Sequence, residues 1–99
     1  MTTQAIATII WNNDSDNLIE SHEMIRDDNG NDTIAKIVTS TGHIAAVGTE
    51  EDAEGEYLTY SIYAPGDETM TDGPITTDGF EITSEEDAAD HLAEILSKF

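Results

Sequence analysis

SEEDAADHLAEILSKF, residues 84–99, is the stretch whose reading decides the fold. Ser84 is an N-cap residue, with a hydroxyl able to accept from an otherwise orphaned backbone N–H of the first turn. Glu85, Glu86 and Asp87 follow at the positive end of the helix dipole, where negative charge is favourable. Ala88, Leu92, Ile95 and Phe99 then recur at steps of three and four, and Ala89 and Leu96 widen the stripe. The spacing predicts an amphipathic helix. Its other face is unusual, because Glu86, Asp90 and Glu94 stand four apart in one row. Like charges at that spacing cost roughly 0.2–0.5 kcal/mol per pair. Two attractive pairs are available to offset them, Glu94 with Lys98 and Asp87 with His91.

The rest of the chain shares this excess. Twenty-two acids stand against three bases, a net charge of −19 over 99 residues. Residues 1–49 hold seven acids and two bases, whereas residues 50–99 hold fifteen acids and one base. Ordinary solubility needs a net charge of only about 2–8, and self-repulsion opposes the compact state. The length fits a single domain, 1–99, with a modest core. Without cysteine there is no disulfide framework or thiolate metal site. No basic leader and no long apolar run is present, so a cytoplasmic location is expected. High charge with low hydrophobicity is also the signature of disorder. The acids here, however, are interrupted by strand-like apolar segments and end in a well-patterned helix, which predicts a fold that carries its charge outside.

Taken in order, Gln4 to Asn12 reads as a first strand, with Ile6, Ile9, Ile10 and Trp11 among alanines and a threonine. Asn12 to Asn17 is a polar loop. Leu18 to Arg26 fits either period, and the strand reading is favoured because Asp28-Asn29-Gly30-Asn31 makes a hairpin turn after it. Thr33 to Thr39 is the next strand, Ser40-Thr41-Gly42 turns the chain, and His43 to Gly48 returns it. Thr33 to Thr49 contains no acid, which places it at the centre of a sheet. Glu50 to Gly55 reads as an acidic loop. Glu56 to Ala64 alternates, with Leu58, Tyr60 and Ile62 on one face and Tyr57, Thr59, Ser61 and Tyr63 on the other. Glu68 to Gly79 is turn-rich, either a loop or a poorly paired hairpin, and Phe80 to Thr83 is a short extended approach to the helix. The expected class is α+β: an antiparallel sheet of four or five strands with the C-terminal helix packed on one face.

Catalytic chemistry finds no foothold. The chain has no P-loop, G-x-S-x-G elbow or H-E-x-x-H spacing. His22, His43 and His91 are far apart and read as surface or packed histidines. Acid–base work needs one carboxyl kept protonated in an apolar pocket, but the acids fall in polar, turn-like or helix-surface contexts. An EF-hand register with Gly30 at its sixth position puts Ile25 first and Lys36 last, which is wrong at both ends. The chain is therefore read as a non-enzyme, with no cofactor and no metal.

Two readings of the acidity remain. One is a small structural or interaction domain from a salt-adapted organism, whose surface is acidic and poor in lysine. The other is imitation of a polynucleotide. Duplex DNA carries one charge per about 1.7 Å of axis, so nineteen charges correspond to about 32 Å. A domain of this length has a radius of gyration near 13 Å, hence a diameter of about 33 Å. Helical neighbours about 5–6 Å apart and alternate strand residues about 6.6 Å apart both lie close to phosphate spacing. In size, charge and α+β character, with Glu50, Glu51, Asp52, Glu54 and Glu56 and the row Glu86, Asp90 and Glu94 carrying the likeness, the chain resembles small acidic phage proteins that act against host defences, the DNA-mimic anti-restriction and acidic anti-CRISPR inhibitors. That resemblance implies a stoichiometric inhibitor occupying the basic nucleic-acid groove of a nuclease, restriction enzyme or CRISPR effector. The expected contact residues are those eight, with Asp27, Asp28 and Asp32 around the hairpin turn as a second group.

Overall fold

Five strands follow one another as an antiparallel meander, each paired with its neighbour in the chain: β1 (Ile19–Arg26), β2 (Asp32–Thr39), β3 (Ile44–Asp52), β4 (Gly55–Tyr63) and β5 (Thr76–Ile82). They are preceded by α1 (Thr3–Asn12) and followed by α2 (Glu85–Leu96). This is the arrangement of a computed structural model, which describes residues 3–13, 17–26, 32–67 and 70–99. The α+β class, the five-stranded sheet and the C-terminal helix agree with the sequence reading. The predicted turn at Asp28-Asn29-Gly30-Asn31 lies outside the described residues, but β1 and β2 pair as the two arms it would join. With β3 as the middle strand and β2 beside it, the acid-free window does fall at the centre.

Side-chain alternation sorts the sheet into two unlike faces. Ile19, Ala35, Ile37, Ala45, Val47, Leu58, Tyr60, Ile62 and Ile82 point one way, and all join a single buried cluster with residues of both helices. From α1 come Ile6, Ala7 and Ile10; from α2 come Ala88, Ala89, Leu92 and Leu96. The two helices thus lie side by side on the same face. Alanines 7, 88 and 89, each 2–3 % exposed, let the backbones approach closely. α2 begins where the sequence places it: the Ser84 hydroxyl accepts from the Asp87 N–H at 3.1 Å. At its far end the Thr41 hydroxyl donates to the Phe99 carbonyl (3.1 Å), and the Phe99 ring lies 5.6 Å from the His43 ring. In the middle His91 stacks on Phe80 of β5, centroids 4.1 Å apart.

Three boundaries depart from the sequence reading. Residues 4–12, expected as a strand, form a helix. Thr3, Ile6, Ala7 and Ile10 are its buried positions, spaced by three, one and three, so the stripe is helical even though Thr3, Ile6 and Ile10 are β-branched. Packing against the sheet and α2 overrides β-propensity, which is a weak and context-dependent preference. Next, Glu50 to Asp52 are not loop but the end of β3, and the β3–β4 connection shrinks to Ala53-Glu54. The Asp52 carboxylate closes this turn by accepting from the N–H groups of Glu54 (2.8 Å) and Gly55 (3.1 Å). Finally, Thr76 to Gly79 belongs to β5, paired along its length with β4.

Leu92 is fully buried in this layer. Leu92→Ala is expected to cost about 2–5 kcal/mol, read as a lower midpoint in urea unfolding with far-UV circular dichroism unchanged before the transition.

Candidate functional site

The topology gathers acids at one end. The β3–β4 turn, the last residues of β5 and the start of α2 are neighbours, because Glu56 pairs with Ile82 and Ser84 caps the helix two residues on. Glu50, Glu51, Asp52, Glu54, Glu56, Glu81, Glu85, Glu86 and Asp87 all come from these segments. The backbone of Asp32 starts β2 at the same end. α1 starts there too, since the Thr3 and Thr49 hydroxyls are 3.1 Å apart. Both helix N-termini therefore point towards the carboxylates, and each favourable charge–dipole contact contributes about 0.3–1 kcal/mol against their mutual repulsion.

The expected contact residues divide into three groups. Glu50 and Asp52 share the sheet face that bears no helix; Glu51 and Glu56 face each other across β3 and β4 on the helix side. Directly opposed like charges are destabilising. Glu86, Asp90 and Glu94 are exposed along α2 and form the anticipated row. Asp27 and Asp28 lie outside the described residues. Asp52 differs from the rest in having a structural task in its turn. Glu81 escaped the sequence reading as a contact residue, although it lies directly across from Tyr57. Only strand register places it there, and the short extended segment before the helix carries no register signal.

Few cations answer this charge. Among the described residues one ion pair forms, Lys36 Nζ to Glu23 Oε1 at 3.9 Å across β1 and β2. Neither helical pair foreseen from the sequence forms. The Asp87 carboxylate instead accepts from the Thr83 hydroxyl at 3.0 Å, His91 lies on Phe80, and Lys98 makes no ion pair with Glu94. Each histidine sits beside an aromatic ring: His22 by Trp11 (5.1 Å), His43 by Phe99 and His91 by Phe80. No group of three or more His, Asp or Glu among the described residues is placed to hold a metal. None of the described helices is long and apolar enough to cross a membrane. Comparison with protein families, with curated proteins and with solved structures finds no match.

Among the described residues, Tyr60 has its proton affinity displaced by its surroundings. Burial, and then the negative charge of Asp78 opposite it on β5, raise its phenol above the ordinary value of 10.0. A folded-state pKa above the unfolded one means that the native chain holds the proton longer. The resulting stability is present below pH 10 and is lost as pH rises through the native pKa. Tyr60→Phe is expected to flatten the fall in urea midpoint above pH 10. On α2, Asp90→Asn removes two like-charge neighbours and is expected to raise stability by roughly 0.4–1 kcal/mol, measured as an upward shift of the thermal midpoint at low salt.

Proposed function

We propose that this chain is a non-catalytic mimic of nucleic acid, an anti-CRISPR or anti-restriction type of inhibitor that occupies the basic nucleic-acid groove of a DNA- or RNA-handling protein. The observation that carries the reading is the placement of the charge. Nine acids are collected at one end by the β3–β4 turn, the tip of β5 and the first turn of α2, and an exposed row extends from there along the helix. The principal extents are 37, 32 and 21 Å. Net charge −19 on a body of that length approaches the linear density of duplex DNA, about one charge per 1.7 Å.

The physics of such an inhibitor is direct. A groove lined by lysine and arginine binds polynucleotides largely through the release of condensed counterions. An acidic body speeds encounter by electrostatic steering and presents a complementary potential once docked. The backbone that carries these acids is fixed in paired strands and a capped helix before binding, so the ordering cost of the complex falls on side chains rather than on the main chain. Loss of the partner as salt rises follows, because solvent-exposed charges are screened beyond about 8 Å at physiological ionic strength.

Capture from a bacterial lysate at low salt, release at high salt and identification of the released protein test the reading. A nucleic-acid-binding protein released by salt supports it; a chain that folds only in molar KCl supports the salt-adapted alternative instead. With the captured protein in hand, Glu86→Lys combined with Asp90→Lys is expected to weaken binding tenfold or more, about 1.4 kcal/mol. The helix signal in circular dichroism should stay intact or strengthen. Unchanged affinity removes the α2 row from the contact surface.

A further inference from the structure

The sheet face opposite the helices carries an organised surface of its own. Strand register places its residues in rows across β3, β4 and β5. The first row is Glu50, Tyr57 and Glu81, so that a half-buried phenol ring has an exposed carboxylate directly opposite it on each side. Directly opposed Cβ atoms lie about 4.5–5.5 Å apart, which puts both carboxylates within reach of a cation resting on the ring. The second row is Gly48, Thr59 and Gly79. The third is Ala46, Ser61 and Thr77, with the last two hydroxyls 3.1 Å apart. Beyond Tyr57 the surface drops to small side chains, a shallow trough about 10 Å wide across three strands, bounded on the β2 side by Lys36, which lies directly across from Ala46 and is paired with Glu23.

The two glycines have different causes. A Cβ on Gly79 would stand 2.7 Å from the Leu58 carbonyl oxygen, so the backbone itself demands glycine there. A Cβ on Gly48 would meet nothing closer than the Thr59 hydroxyl at 3.6 Å, an ordinary contact, and its φ lies outside the left-handed region. Nothing in the fold requires glycine at this position of the middle strand, where it weakens the strand. A glycine within a strand often marks the close approach of a ligand or another backbone.

Resting on the mimic reading above, we propose that this trough is the seat of an arginine-bearing segment of the basic partner, with a guanidinium lying on Tyr57 between Glu50 and Glu81 and the segment's backbone passing over Gly48. Charge complementarity selects a cationic occupant, since a second copy of the chain would bring −19 against −19. The ring and its flanking carboxylates select arginine over lysine. A guanidinium is planar, stacks on aromatic faces and meets a carboxylate through two parallel N–H donors, whereas an ammonium is a compact, strongly hydrated point charge.

Oligo-arginine and oligo-lysine peptides of equal length serve as probes, titrated into the chain by calorimetry at physiological ionic strength, with the amide resonances of Gly48 and Gly79 followed by NMR. Oligo-arginine is expected to bind roughly three- to tenfold more tightly and to move both glycine resonances. Gly48→Val should unfold no more easily than the parent and bind the two peptides equally; Tyr57→Ala should also erase the preference and keeps the test open if the valine variant misfolds. Equal affinities for the parent, or a preference that survives both substitutions, overturn the trough while leaving the mimic reading in place. Failure of both peptides to bind even at low salt overturns both.

Discussion

Everything in this structure depends on one apolar layer, closed between a single face of the sheet and two helices that share it. Leu58, Ile62 and Leu92 lie at its centre with no exposure, and Ile6, Ile37 and Val47 surround them at 1 %. Non-polar burial is the only large attractive term available to a chain with 22 acids and three bases. Because both helices are laid on one side, that term is concentrated in one layer. The other sheet face buries Ile44, but its Glu50–Tyr57–Glu81 row, the outer side of α2 and the tip of the β3–β4 hairpin are left free of core duty. Charge is placed on those surfaces, and the core holds it there.

The same division explains why the acids crowd one end rather than spreading. In a meander the odd-numbered connections emerge at one end and the even-numbered ones at the other. The β3–β4 turn, the end of β5 and the start of α2 therefore share an end. Residues that are distant in the chain, Glu50 and Glu81, are brought to either side of Tyr57 by topology alone. Repulsion among the acids is partly offset by the N-terminal dipoles of both helices and by the Asp52 turn, which uses one carboxylate to accept from two backbone N–H groups.

Much of this was legible in the sequence, for reasons that differ by element. α2 was readable down to its cap, because Ser84, the acidic first turn and the 88/92/95/99 stripe all agree. β4 was readable because strict alternation admits one period only. α1 was misread because Ile6, Ile9 and Ile10 invite a strand on composition, while the deciding fact, burial of Thr3, Ile6, Ala7 and Ile10 on one helical face, depends on the sheet beneath. Residues 50–52 read as loop from their run of acids, but they lie at the tip of a hairpin, where the β3–β4 ladder continues through charged pairs such as Glu51 and Glu56. Individual acids of the candidate site were visible as residue types. Their assembly was not: register across β3, β4 and β5 brings Glu81 to Tyr57 and makes a surface of Gly48 and Gly79, and register is a property of paired chains rather than of any one segment.

Competition measures the central claim most directly. A captured partner protein, immobilised at low salt with the acidic chain bound, is challenged with a DNA or RNA duplex of about ten base pairs, the length whose axis matches the charge of the chain. Mutual exclusion is the predicted result: rising duplex concentration releases the chain, and rising chain concentration releases the duplex. A ternary complex in which both remain bound, each with its affinity unaltered by the other, would contradict the account.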